Sequence, residues 1–302
     1  MNWPAAIQSF RNYLLLERSM SHHTIEAYLN DVGKFVQWLE LEARIVPPLA
    51  VKSDELTQFI LWANHLGLAA STQARMISGL RAFYKYLLVE DLLDDDPTEL
   101  LESPRMRRKI PEVLSVQEVQ LLLQAIDLSE PQGQRYRAIL EMLYACGMRV
   151  SEVVNLRLTQ LFLEENFFKV LGKNNTERLV PIGAEAVKYL RIYLENVRNL
   201  QTNIKKEAEN VVFINRRGGK MSRVMVFILV KEFAVKANIV KNISPHTFRH
   251  TFATHLVEGG ADLKAVQDML GHESITTTEI YTHLDTEYLK ETIYLYHPRL
   301  KM

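Results

Sequence analysis

Cysteine is almost absent: Cys146 is the only one in 302 residues. No disulfide can form within the chain and no cysteine cluster can hold a metal, which excludes a disulfide scaffold and a thiolate zinc site. Long apolar runs are missing too. The best candidate, Phe59 to Ala70, is 12 residues long and is interrupted by Asn64 and His65, against the roughly 20 needed to cross a bilayer. The opening Met1-Asn2-Trp3-Pro4 has no basic region leading into an apolar core, so no secretory signal is read. These absences point to a reduced, cytoplasmic protein. There is no Gly-x-x-x-x-Gly-Lys-Ser/Thr phosphate loop and no internal repeat.

Net charge is also absent, with 36 Lys+Arg against 36 Asp+Glu. Taken whole, that argues against a nucleic-acid or anionic-membrane partner. The sum hides an asymmetry. Residues 1–104 hold 8 bases against 14 acids, a balance of −6, and six of the acids lie from Asp91 to Glu102. The remainder holds 28 bases against 22 acids, a balance of +6. A charge difference between halves is a signature of an anionic partner for the basic half. The acidic half can still present a basic face through Lys34, Arg75 and Arg81.

What is present is an ordinary globular mixture, 47% hydrophobic and 24% charged, long enough for two domains or one large one. The first hundred residues read as four helices. Ala5 to Glu17 carries Ile7, Phe10, Leu14 and Leu15 on one face, and Ser21 can cap a helix bearing Ile25, Val32, Phe35 and Leu39. Ser53 is placed to cap a third helix ending at Gly67, and Ser71 or Thr72 to open a fourth with Met76, Leu80, Phe83 and Leu87. The stretch Ser103-Pro104-Arg105-Met106-Arg107-Arg108-Lys109-Ile110-Pro111 is proline-bounded and basic. It reads either as a solvated connector or as a strap across a phosphate backbone, where each cation displaces a condensed counterion.

The second region, 112–302, opens with helices over Val116–Ala125 and Arg135–Ala145. The only strand signals follow, at 161–163, 167–171 and 178–182, with a turn at Gly172–Thr176. After Gly183 the pattern predicts helix almost to the end. The fold class is therefore mainly α with a small antiparallel β-sheet.

Six of the nine histidines fall within 246–297, and this density suggests a site. Ser244-Pro245 is a strong helix start, which puts His246 in a first turn whose free N–H groups favour an anion. His246 and Arg249, three apart, share a face, while Phe248, Phe252 and Leu256 point to the core. An imidazole beside a guanidinium suits a phosphate, although the same pair also fits an ordinary polar helix surface. His246 and His250 have a metal-ligand spacing without the Glu of a His-Glu-x-x-His motif. Arg149 sits in a tight turn between helices, after Gly147, where it can serve a ligand or bond helix-end carbonyls. Cys146 reads as a small packed residue. His272 follows Gly271 at a helix end, and Tyr281 lies among threonines that make a poor helix.

Taken together, these strings resemble the tyrosine recombinase (phage integrase) family, its Xer-type members in particular. The resemblance runs over nearly the whole chain: Gly147-Met148-Arg149-Val150-Ser151-Glu152, His246 through His255, Leu270-Gly271-His272, Tyr281-Thr282-His283, the N-terminal Tyr13-Leu14 through Glu17-Arg18-Ser19-Met20-Ser21 and Thr24 to Trp38, and Tyr296-His297-Pro298-Arg299. The family's pattern maps onto Arg149, Lys173, His246, Arg249, His272 and the nucleophile Tyr281. One stretch departs: Gly172-Lys173-Asn174-Asn175-Thr176 stands where Gly-Lys-Gly and a further Lys are usual.

The resemblance implies a SAM-like four-helix core-binding domain over 1–104, a basic linker over 105–111, and a catalytic domain over 112–302 ending in an exchange helix at 285–296. DNA contacts would come from Arg105, Arg107, Arg108, Lys109, Lys34, Arg75 and Arg81. The implied reaction is metal-free transesterification at a DNA phosphodiester through a 3′-phosphotyrosyl intermediate and a Holliday junction. No cofactor, ATP or metal is required, and no carboxylate triplet for two metals is seen. The partners implied are double-stranded DNA at a specific site, a homo- or hetero-tetramer with a paralogous recombinase, and a cell-division DNA translocase. The task implied is chromosome-dimer resolution. Three rivals share part of the pattern: a type IB topoisomerase, which needs no second duplex; a non-catalytic DNA-binding protein, which should lack one of the six residues; and a metal-dependent hydrolase, which chelation would silence.

Overall fold

The structure, a computed structural model, describes residues 1–104, 112–171, 177–271 and 283–298, without the side chains of 283–287. It is mainly helical with one three-stranded sheet, and the chain divides into two compact units, Met1–Lys109 and Ile110–Met302.

The first unit contains α1 (Trp3–Leu16), α2 (His22–Leu41), α3 (Ser53–His65) and α4 (Ala70–Val89). Asn2 caps α1 by accepting from the Ala5 N–H at 3.0 Å, and Ser21 caps α2 from the Thr24 N–H at 3.3 Å. Two starts differ from the sequence reading. Ser53 lies inside α3, where the Glu55 carboxylate instead accepts the Lys52 N–H at 2.8 Å. The fourth helix begins at Ala70, ahead of Ser71, because alanine adds helix at no side-chain cost and the Gln73 amide satisfies the Leu68 carbonyl at 2.7 Å. The core joins Phe10, Phe35, Phe59, Phe83 and Leu80, all fully buried. Edge-to-face ring pairs lock it, among them Phe10–Phe83 at 5.3 Å and Phe35–Phe59 at 5.3 Å.

The second unit is built around α6 (Pro131–Ala145), which is buried on every side from Ala138 to Ala145. Apart from Glu141, which is ion-paired with Arg137 at 2.9 Å, that stretch is apolar on every side, as befits a helix at the centre of a domain. Around it lie α5 (Val116–Gln124), α7 (Val150–Asn155), α8 (Ala184–Tyr193) and α9 (Arg223–Lys236). The sheet runs β1 (Leu161–Phe162), β2 (Phe167–Leu171) and β3 (Glu177–Pro181) in antiparallel order, with Phe168 opposite Val180 and Val170 opposite Arg178.

The expectation of near-continuous helix after Gly183 is wrong for 199–222. The helix α8 closes with a wide turn over Leu194–Arg198, and the chain then runs irregularly to Arg223, held by single bridges Arg157–Val211 and Ile214–Lys220. Buried Arg198 bonds the Val211 carbonyl at 2.9 Å, and the Asn215 side chain accepts the Arg217 N–H at 2.9 Å. Buried side chains and turn chemistry there replace helical hydrogen bonds.

A smaller cluster packs α10 (Pro245–Gly259), α11 (Leu263–Leu270) and α12 (His283–Tyr296) through Phe252, Leu256, Val266, Met269, Leu289 and Ile293. The apolar stripe of α12 is thus seated on its own domain. Among the described residues no helix is long and apolar enough to cross a membrane.

Candidate active site

The site grows from two glycine turns. Gly147, between α6 and α7, has φ +57°, and a Cβ there would lie 2.4 Å from the Phe252 ring. Only glycine fits that left-handed turn. It delivers Arg149 to the N-terminus of α7. There the Glu152 carboxylate takes both the Arg149 backbone N–H at 2.8 Å and its Nη1 at 3.0 Å. Arg149 Nη2 donates to the Gly271 carbonyl at 3.3 Å, and the side chain stays 42% exposed. Arg149 therefore bonds a helix-end carbonyl, one of the two roles left open by its sequence, and its side chain is partly open to solvent.

Gly271 is the second turn. It caps α11 at φ +61°, following a helix start at which Asp262 accepts the Ala265 N–H at 3.1 Å. Arg249, buried on α10, reaches both turns. Its Nη1 donates to the Gly147 carbonyl at 2.8 Å, and its Nη2 donates to the Leu270 carbonyl. Burial, with the nearby Arg149 charge, lowers its pKa to about 10, which still leaves it cationic at neutral pH. His246, exposed in the first turn of α10, stands one helical turn before Arg249. Its helix is opened by the Thr247 hydroxyl accepting the Ser244 N–H at 3.0 Å.

Two residues belong here that the sequence reading did not single out. Glu152 holds Arg149 as described. Arg178, 6% exposed on β3, forms a fork on Glu152 with Nη1 and Nη2 both at 2.9 Å, and its Nε donates to the Met269 carbonyl at 3.1 Å. Burial raises the Glu152 carboxyl, but the Arg178 and Arg149 bonds outweigh it and hold it below its ordinary range. Strand alternation was the available signal. With Val180 inward, Arg178 must also face inward, and a charge at a core position needs a partner.

Of the other expected positions, Arg75 is ion-paired with buried Asp31, and Lys34 lies close enough to influence the same carboxyl. Arg81 donates to the Leu101 carbonyl. Lys173, His272 and Tyr281 lie outside the described residues, as do Arg105, Arg107, Arg108 and Lys109. Cys146 is buried, and burial pushes its thiol pKa up, which leaves it packed and unreactive. Among the described residues no three His, Cys, Asp or Glu are grouped to hold a metal ion.

The family profile described as the phage integrase family matches residues 112–288, which contain every side chain of this site. The chain belongs to the phage integrase family. A second profile, the phage integrase N-terminal SAM-like domain, matches residues 7–91. Relatives extend the likeness end to end. Tyrosine recombinase XerD of Chlorobaculum tepidum is 43% identical over 300 residues, 98% of this chain and 97% of the relative. The XerD of Staphylococcus saprophyticus is 41% identical, covering 97% of this chain and 98% of the relative. Among solved structures, the Tn1549 transposon integrase in complex with a circular intermediate DNA superposes with a TM-score of 0.71 at 19% identity, covering 95% of this chain and 98% of that one. The XerH site-specific recombinase bound to difH substrate gives 0.67 at 23% identity, covering 94% and 83%. These two share the fold of this phage integrase member. The chain is a tyrosine site-specific recombinase with a SAM-like N-terminal domain and an integrase catalytic domain.

Proposed function

We propose that this recombinase cuts and rejoins double-stranded DNA with Tyr281 as nucleophile, through a 3′-phosphotyrosyl link. The Tyr281 oxygen attacks the phosphorus and a P–O bond to the 5′-oxygen breaks. Lys173 supplies that oxygen with a proton, and a 5′-hydroxyl from the partner duplex later reverses the step. One phosphodiester is exchanged for another of similar energy, so no ATP enters. The observation that carries this reading is the convergence of Arg149 and Arg249 on the Gly147 and Gly271 turns, with Arg149 open to solvent. Two guanidinium groups so held can stabilise charge developing on the non-bridging oxygens. A phosphate would replace the long bond from Arg149 to Gly271. His246 and His272 add donors, and one of the two assists deprotonation of the nucleophile, help that is needed because a free tyrosine has a pKa of about 10.

Residues 1–104 serve as the DNA-gripping core-binding domain and 105–111 as a basic strap bearing Arg105, Arg107, Arg108 and Lys109 on the phosphate backbone. Lys34, Arg75 and Arg81 make further DNA contacts. The helix at 285–296 exchanges onto a neighbouring protomer, closing a homo- or hetero-tetramer with a paralogous subunit on two duplexes, and the reaction passes through a Holliday junction. Similarity to XerD-type relatives over nearly the whole chain favours chromosome-dimer resolution at cell division, in the cytoplasm and with a DNA translocase, over integration of a mobile element.

On a nicked suicide duplex, the wild-type chain should accumulate a covalent DNA adduct, whereas Tyr281→Phe should bind the duplex and form none. An adduct that survives in Tyr281→Phe refutes the nucleophile.

A further inference from the structure

Three consecutive carbonyls end α11, and each is bound by a different arginine. Arg178 takes Met269, Arg249 takes Leu270 and Arg149 takes Gly271. Of the three, only Arg178 is also locked in a two-bond fork on a carboxylate, that of Glu152, which in turn holds Arg149 through its backbone N–H and Nη1. The Arg178 side chain lies against Gly271 so closely that a Cβ there would sit 3.0 Å from its Cδ.

We infer that Arg178 is a positioning residue for strand cleavage: it fixes Arg149 through Glu152 and fixes the end of α11, two residues before His272, through the Met269 carbonyl. This rests on the phosphotyrosyl reading above. Arg149 and Arg249 must turn donors toward a phosphate when DNA binds, which loosens their hold on Gly271 and Leu270. Arg178 is buried, its fork is filled by Glu152, and no phosphate competes for it. It can therefore keep the two turns in register while the other two arginines change partners. Its place on β3, opposite Val170, also joins the strand that follows Lys173 to this same point. Misplacement of a catalytic group by about 1 Å is enough to cost on the order of 10²-fold in rate, and groups that hold reacting side chains in place account for effects of that size.

The test is single-turnover cleavage of a nicked suicide duplex, with DNA affinity measured alongside on an intact duplex. Arg178→Met should cleave about 10²-fold more slowly with DNA affinity nearly unchanged. Arg178→Lys keeps the charge without the fork and should recover part of the rate. In an Arg149→Lys background, Arg178→Met should cost little more, because both changes act through one arginine. A merely structural residue would lose affinity and rate together, and its effect would add in full to that of Arg149→Lys. Full additivity overturns the inference, as does a folded Arg178→Met that cleaves at the wild-type rate. Where Arg178→Met does not fold, Arg178→Lys decides: slower cleavage at unchanged affinity supports the role, and wild-type cleavage overturns it. Failure of the phosphotyrosyl reading would appear separately, as a wild-type chain that forms no covalent adduct.

Discussion

The arginines of the site differ by exposure. The side chain of Arg149 is 42% exposed and that of Arg178 is 6% exposed, yet both hold the same Glu152 carboxylate. On the proposed reading the open one meets substrate and the closed one keeps it in place. The task proposed for Lys173 is different, to protonate the leaving oxygen. Lys173→Ala should cleave an ordinary duplex about 10²–10⁴-fold more slowly and recover when the leaving 5′-oxygen is replaced by sulfur, which needs no acid; no recovery would count against the acid role. His255 supplies a pH prediction. Its Nδ1 lies 3.0 Å from the Tyr144 hydroxyl, and burial lowers its pKa. The unfolded chain therefore binds the proton more readily than the folded one. The stability contributed by neutral His255 is complete above about pH 6.5 and declines as pH falls through that ordinary histidine value. The thermal midpoint should drop between about pH 7.5 and 5.5, and His255→Asn should flatten that slope.

At the scale of elements, helices announced by a cap and an apolar period were legible. The start of α10 at Ser244-Pro245, and the bounds of α11 at Asp262 and Gly271, fall where local chemistry places them. Elements fixed by distant partners were not. The irregular run over 199–222 is anchored by the Arg198 side chain on the Val211 carbonyl, 13 residues on, a contact that no local period encodes, while the Asn215 bond to the Arg217 N–H is a local turn that the helical reading passed over. Strand alternation turned Arg178 inward, but the partners that give its charge a place, Glu152 and Met269, lie 26 and 91 residues away in sequence. The seat of α12 has no local signature. Leu289 and Ile293 are 3% exposed in the cluster around Phe252 and Met269. Leu289→Ala should therefore destabilise the dilute monomer by about 2–5 kcal/mol in urea unfolding. An unchanged midpoint would mean that the helix has no stabilising seat on its own chain.

For the whole molecule, zero net charge is the sum of two unlike halves, −6 over residues 1–104 and +6 over the rest. Among the expected DNA contacts of the acidic half, Arg75 and Lys34 sit beside buried Asp31 and Arg81 bonds the Leu101 carbonyl, so part of its small cationic complement also stabilises the fold. Affinity for DNA must then come from defined contacts and from assembly on a site more than from bulk charge. The central claim is that Tyr281 becomes joined to the 3′ end of a cut strand at one DNA site. The measurement that tests it most directly is recovery of DNA covalently attached to the full-length chain in cells, with peptide mapping of the attachment and sequencing of the attached ends. The account predicts a Tyr281 peptide bearing a 3′-phosphate at one recurrent sequence. Attachment through a 5′-phosphate, or to any residue other than Tyr281, would contradict it.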